Sequence, residues 1–308
     1  MLKEISRRKW LQLVSAFGAG AVSGVTAAAT PVANPIKRPI PRSGELLPVV
    51  GLGTWQTFDT GSAVSARAPL KEVLREFVAL GGKVVDSSPM YGESERVVGD
   101  LAAELGVRDK LFLATKVWTS GRDAGIAQMQ ESFKLLRAER LDLMQVHNLL
   151  DWRTHLATLR YWKEQGKIRY LGVTHYTEGA YDDLERVLKS EALDFVQLNY
   201  SIAERDAEKR LLPLAAERRI AVIVNRPFTK AALFSRVRGK ALPPWAAEIG
   251  CATWAQFFLK FVISHPSVTC AIPATSKLTH LRDNMQAGFE PLPNAAMRER
   301  MAWHLAEL

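Results

Sequence analysis

From residue 37 onward, two hydrophobic rhythms alternate along the chain. Short, almost continuous apolar runs rich in Val, Ile and Leu recur between longer stretches whose apolar positions return every three or four residues. The first is the pattern of a strand covered on both faces, the second that of an amphipathic helix. Eight runs read as strands, at 49–54, 83–87, 111–116, 141–147, 170–174, 195–199, 221–225 and 268–272. Helices are expected to begin near Pro69, Ser94, Ala124, Arg153, Gly179, Asp206, Thr253 and Lys277, with a last amphipathic helix at 295–308 packed on the outside. Ahead of the first strand, 36–48 sets Pro39, Pro41 and Ser43-Gly44 between short apolar stretches, which reads as a hairpin closing one end of a barrel. Repeated βα units predict a parallel sheet. Eight of them favour a closed barrel over an open doubly wound sheet, because Gly51-Leu52-Gly53 lacks the third glycine of a dinucleotide fingerprint. The predicted fold is α/β, a (β/α)8 TIM barrel with an N-terminal β-hairpin and an extra C-terminal helix.

The first residues follow neither rhythm. Ser6-Arg7-Arg8-Lys9-Trp10-Leu11-Gln12 pairs two arginines with an aromatic residue and a leucine, and an apolar stretch follows that ends in Ala27-Ala28-Ala29 before Pro31. This segment resembles a twin-arginine export signal. Its Ala, Gly, Ser and Thr content is weakly hydrophobic for a membrane span, and the small residues at its end predict cleavage near Ala29. The expected layout is a leader at 1–29, a linker at 30–36 and the barrel at 37–308. The expected location is periplasmic, or otherwise exported by the twin-arginine machinery, with no stable membrane insertion of the mature protein. An uncleaved leader would instead retain the chain at the inner membrane. Because that route carries folded proteins, a cofactor would be loaded before export.

The net charge of +9 raises nucleic acid as a partner, but Lys3, Arg7, Arg8 and Lys9 against Glu4 place three of those charges in the leader. Elsewhere cations alternate with acids, as in Arg205, Asp206, Glu208, Lys209 and Arg210, the mark of a solvated helix face. No nucleic-acid partner is expected. Cys251 and Cys270 are too few for a disulfide scaffold and read as two buried thiols, although export leaves a single disulfide open. Six histidines show no ligand spacing with carboxylates, and no metal is expected.

The reactive side chains fall at strand ends. Asp86 closes the second strand, Lys116 the third and His147 the fourth, while Tyr91 follows in the loop after Asp86. In a barrel of this type the active site forms where the C-terminal ends of the strands converge. Singly, the four read as an ion pair, a loop anchor and a satisfied histidine; together they read as a site. A cation beside a phenol favours the phenolate, and an imidazole at the barrel mouth can hydrogen-bond a carbonyl oxygen. None of them supplies hydride, so a cofactor must bring it, and nicotinamide is the usual source.

The segments Val49-Val50-Gly51-Leu52-Gly53-Thr54-Trp55, Val85-Asp86-Ser87-Ser88-Pro89-Met90-Tyr91-Gly92-Glu93-Ser94-Glu95, Ala114-Thr115-Lys116, Gln145-Val146-His147-Asn148, Val196-Gln197-Leu198-Asn199-Tyr200-Ser201 and Ile272-Pro273 with Asn284 make the chain resemble the aldo/keto reductase family from about residue 37 to its last helix. The resemblance implies reduction of a small-molecule carbonyl by NAD(P)H, with Tyr91 as general acid, Lys116 and Asp86 tuning it and His147 orienting the carbonyl. It implies that Gln197 holds the nicotinamide carboxamide, that Thr54 and Trp55 line the site, and that Thr174 and His175 stand where the family usually has Ser-Asn. Asn225, followed by Arg226, stands where many members stack an aromatic on the nicotinamide. Thr275, Ser276, Lys277, His280 and Asn284 would face the adenosine end. The family's usual NADPH preference rests on cations at the 2′-phosphate, yet Ala274 and His280 occupy two of those places. That leaves Lys277, Arg282 or Arg226 for the role, and NADH as the alternative cofactor. Trp55, Phe58, Trp118 and Trp152 are candidates to line an apolar substrate pocket. The alternative reading is an exported nicotinamide-binding subunit or redox sensor of the same fold with little turnover.

Overall fold

Residues 112–117 and 141–146 are buried at every position, as parallel strands must be when a core fills one side and helices cover the other. The computed structural model describes residues 34–308, so the expected leader at 1–29 lies outside the described residues. The chain opens with an antiparallel hairpin, β1 (Lys37–Pro39) against β2 (Leu46–Pro48), in which Arg38 faces Leu47. Eight parallel strands then pair in chain order: β3 (Leu52–Gly53), β4 (Val84–Asp86), β5 (Phe112–Val117), β6 (Leu141–Val146), β7 (Ile168–Thr174), β8 (Phe195–Asn199), β9 (Ala221–Asn225) and β10 (Val268–Ala271). Parallel bridges from Val50 to Ala271 and from Gly53 to Ala274 join the first strand to the last. That seam tolerates no side chain at its glycines: a Cβ on Gly53 would stand 2.8 Å from the carbonyl oxygen of Ile272.

Side chains alternate across each strand. Val84, Phe112, Leu143, Phe195, Ile223 and Cys270 point into the barrel, where Ile40 and Leu47 of the hairpin plug its lower end. Their neighbours Val85, Leu113, Met144, Val196 and Val222 face outward against the helices. Those helices are α1 (Val64–Ala79), α2 (Ser94–Leu105), α3 (Arg122–Leu135), α4 (Trp152–Glu164), α5 (Tyr181–Ser190), α6 (Leu211–Glu217), α7 (Ala232–Arg236), α8 (Trp254–Ile263), α9 (Leu278–Gln286) and α10 (Ala295–Ala306). No helix among the described residues is long and apolar enough to cross a membrane.

The departures from expectation are local. Helix α1 begins at Val64 and carries Pro69 inside it, where a proline removes one hydrogen bond near the exposed start instead of marking the first turn. Asp206 opens only a short 3-10 turn, and α6 follows at Leu211. Helix α7 and the 3-10 segment Pro244–Ile249, both between β9 and α8, were not anticipated. Arg205 is no solvated cation either: it pairs with Glu208 and, on α10, with Glu299. Beside it the buried Arg298 donates to Tyr200 Oη (2.5 Å), Glu208 Oε1 (2.7 Å), Ser264 Oγ (3.0 Å) and the carbonyl of Phe261, clamping α10 to the barrel. Cys251 and Cys270 are both buried and both free.

Candidate active site

The alternation that fills the lower barrel with hydrophobic side chains continues upward into polar ones. Two residues beyond Val84 is Asp86, beyond Ala114 is Lys116, beyond Leu143 is Gln145, beyond Phe195 is Gln197 and beyond Ile223 is Asn225. Strand pairing sets Lys116 beside Gln145, Gln145 beside Gly172, and Thr174 beside Gln197. The C-terminal end of the barrel is therefore lined by a ring of polar groups, all at inward positions of the same pleat.

Asp86 and Lys116 are its centre. The Lys116 ammonium is wholly enclosed and donates to Asp86 Oδ2 and to the Ser87 carbonyl, each at 2.6 Å. The other carboxylate oxygen, Oδ1, accepts from Gln197 Nε2 at 2.8 Å and from Gln145 Nε2 at 3.3 Å. A buried ion pair persists only when its remaining lone pairs are met in this way. Burial alone would pull the lysine down, but Asp86, and then Tyr91, hold it above its ordinary range and so keep it charged. Gln145 stands in the sequence motif with His147 but carried no assigned role there; its place two residues before His147 on one strand was the available signal.

Tyr91 arrives from the loop after β4, its ring centroid 5.0 Å from the Lys116 ammonium. Sequence reasoning expected the lysine to draw the phenol's pKa down. The net shift is the reverse: burial raises it above its usual 10, Lys116 pulls back, and Asp86 pushes it up again. Tyr91 is thus a firmly protonated phenol held beside a fixed cation. His147 lies edge-on to the Tyr91 ring with centroids 5.9 Å apart, and Trp118 flanks it at 6.5 Å. Burial, followed by the charges of Lys116 and His175, pushes the imidazole pKa down to about 2, so the ring is neutral. The structure brings all four of Asp86, Tyr91, Lys116 and His147 together.

The residues expected to hold a dinucleotide divide into two groups. Gln197 and Asn225 meet on the rim, where Asn225 Nδ2 donates to Gln197 Oε1 (3.4 Å) and to the His175 carbonyl (3.1 Å). Close by, Gln145 Oε1, Asn148 Oδ1 and Asn225 Oδ1 are buried acceptors that no described residue satisfies. Trp55 is exposed at the mouth, with the Lys230 ammonium 5.4 Å from its ring. Around β10, Ser276, Lys277 and His280 are exposed, and among the described residues none of them pairs with an acid. Thr275 is buried with its hydroxyl accepting the Lys277 N–H at 3.1 Å, and Asn284 is buried on α9.

The other candidate residues differ in how far the fold already engages them. Thr54 is wholly buried, as Asp86, Lys116 and Gln197 are, and its hydroxyl donates to the Asp86 carbonyl or Ser87 Oγ, both 3.0 Å away, tying β3 to β4. Thr174 is equally buried and accepts the Asn148 N–H at 3.4 Å. His175 turns its Nδ1 back to the N–H of Thr177 and stacks on Tyr176. Arg226 and Arg282 already have protein partners: Arg226 holds the Tyr176 carbonyl (2.7 Å) and lies 3.6 Å from Glu204, while Arg282 pairs with Glu76 on α1 (2.7 Å). Phe58 is fully buried core, whereas Trp118 is exposed at the mouth and Trp152 is half-buried with Arg153 over its ring.

Residues 49–300 match the model described as the Aldo/keto reductase family. The methylglyoxal reductase YeaE of Escherichia coli (strain K12) is 30% identical over 245 residues, which is 77% of this chain and 84% of that protein. The fold is shared with the holo form of the aldo-keto reductase AKR11C1 from Bacillus halodurans, at a TM-score of 0.70 and 22% identity over 88% of this chain and 96% of that one. It is shared also with an aldo/keto reductase from Klebsiella pneumoniae in complex with NADP and acetate, at 0.69 and 24%, over 85% of this chain and 93% of that one. From the match across the barrel, the chain belongs to the aldo/keto reductase family and is an oxidoreductase.

Proposed function

We propose that this chain reduces an aldehyde or ketone to the alcohol at the rim of its barrel, with NADPH as reductant and Tyr91 as proton donor. The observation that carries this reading is the enclosed Lys116–Asp86 pair, with the ammonium 5.0 Å from the ring of a half-buried, protonated phenol. The residues present suit a nicotinamide dinucleotide: the unsatisfied acceptors Asn148 Oδ1 and Asn225 Oδ1, beside Gln197, call for the donors that a carboxamide offers. Trp55 gives an aromatic face, and Lys277 with Ser276 at the start of α9 offers a cation next to a helix N-terminus for phosphate. NADP is what the Klebsiella pneumoniae relative was solved with. The chemistry such a dinucleotide supplies when bound is hydride transfer to the carbonyl carbon.

The chain's own residues handle the oxygen. As the carbonyl is reduced, its oxygen gains negative charge and basicity, and the Tyr91 hydroxyl gives it a proton. A phenol raised above its usual range carries that proton throughout the neutral region. The Lys116 charge then steadies the phenolate left behind, and Asp86, Gln145 and Gln197 fix the lysine in place. The neutral His147 is the second hydrogen-bonding neighbour of that oxygen.

Purified protein with NADPH and a carbonyl panel headed by methylglyoxal, the substrate named for the E. coli relative, is expected to show carbonyl-dependent loss of reduced-nicotinamide absorbance. Tyr91→Phe is expected to lower kcat by about 10²- to 10⁴-fold, the usual worth of a positioned acid, with nucleotide affinity unchanged. Nucleotide binding with no turnover by the wild type would instead favour a nicotinamide-binding subunit or redox sensor.

A further inference from the structure

His147 presents its two ring nitrogens to unlike surroundings. Nδ1 lies 3.1 Å from the hydroxyl oxygen of Ser88, a residue wholly buried in the loop after β4. Nε2 has no protein partner among the described residues. A neutral imidazole carries one N–H and one lone pair, so one end of the ring donates and the other accepts. Which end does which decides what the ring offers a substrate.

Ser88 makes the choice. Its oxygen already receives the N–H of Met90 at 3.3 Å, and its only other hydrogen-bonding contact among the described residues is His147 Nδ1. Were Nδ1 to bear the ring proton, the serine oxygen would accept twice and its own buried hydrogen would have no acceptor. A buried donor left unmade is the costly outcome; a hydroxyl that accepts from Met90 and donates to Nδ1 satisfies every group.

We propose that Ser88 is a positioning residue that donates its hydroxyl proton to Nδ1 and thereby holds His147 in the Nε2–H tautomer. The consequence for the reaction rests on the carbonyl-reduction reading. With Nε2–H as donor, the imidazole and the Tyr91 hydroxyl can each serve one lone pair of the same carbonyl oxygen. With the proton on Nδ1, Nε2 would turn a lone pair toward that oxygen and repel it.

The test is long-range proton–nitrogen NMR on the nucleotide-free, nitrogen-15-labelled protein, with the His147 signals assigned by their loss in His147→Gln. The wild type is expected to show a protonated Nε2 and a pyridine-like Nδ1 at neutral pH, and Ser88→Ala to show a mixture of tautomers. Ser88→Ala is also expected to lower kcat about ten- to a hundredfold with nucleotide affinity unchanged, and Ser88→Thr, which keeps the hydroxyl, to recover most of that loss. A protonated Nδ1 in the wild type overturns the proposal, and so does an unchanged pure Nε2–H state in Ser88→Ala. Should Ser88→Ala fail to fold, the wild-type spectrum alone decides. Absence of turnover in a wild type that shows the Nε2–H state would count against carbonyl reduction and in favour of the tautomer assignment.

Discussion

Lys116 has no water to fall back on, and its charge is held by one carboxylate and one carbonyl. Removing the partner of an enclosed charge is far more damaging than removing both members of the pair. Asp86→Asn is therefore expected to lose about 3–5 kcal/mol of stability in urea titrations. Asp86→Asn combined with Lys116→Met is expected to regain most of that loss, because no buried charge is left uncompensated. The double variant should still be inactive, since the cation beside the Tyr91 phenol is gone. A single Lys116→Met should move the Tyr91 titration further up in a high-pH ultraviolet absorbance series, because the lysine is what restrains the rise that burial causes. A double variant as unstable as the single one would show that Asp86 acts through backbone geometry and not through the lysine.

At the scale of the elements, short continuous apolar runs made the strands legible. The predicted limits of 195–199 and 221–225 coincide with the strands found, and the rest fall within a few residues. The first strand is the exception in kind: only Leu52–Gly53 forms regular ladder pairing, because the closing seam is made of isolated bridges that no hydrophobic pattern announces. Helix starts were less legible where a single residue carried the signal, as Pro69 shows, and α7 was hidden because five residues are too few to display a period. In the site, strand-end positions exposed Asp86, Lys116 and His147, but inward-facing Gln145 and loop-borne Ser88 gain their meaning only from partners 59 positions away. Sequence likewise gave no way to see that Thr54 spends its hydroxyl inside the wall, or that Arg226 and Arg282 are engaged elsewhere. The seam yields its own prediction. Gly53→Ala places a methyl 2.8 Å from a backbone carbonyl that cannot swing aside, and it is expected to cost about 1–3 kcal/mol as overpacking. Gly179→Ala, whose added carbon meets nothing within 4 Å, is the control and should leave the melting temperature unchanged or slightly raised. Equal effects of the two would mean that the seam is looser than its bridges indicate.

For the molecule as a whole, folding traps His147 and His265 in their neutral form. The unfolded chain protonates its histidines near pH 6.5, while burial holds His147 down to about 2 and, with help from Arg298, His265 down to about 4. Between those values the unfolded state binds protons that the folded state refuses, so stability falls as pH drops below about 6.5. Below about pH 4 His265 takes its proton in both states and stops contributing, while His147 continues to oppose folding. Glu95 acts in the other direction: burial raises its pKa against the downward pull of the Thr115 and Ser132 hydroxyls that donate to it, so the folded state gains that proton first as the medium turns acid. A raw stability profile mixes these contributions, but the difference between wild type and His147→Gln isolates one. That variant cannot be protonated in either state. In guanidinium titrations from pH 6 to pH 4.5, its stability should fall less steeply than that of the wild type by about 1.4 kcal/mol per pH unit, the slope of one proton. Identical slopes would mean that His147 is charged in the native barrel, and the neutral hydrogen-bonding role assigned to it at the carbonyl oxygen would fall with that result.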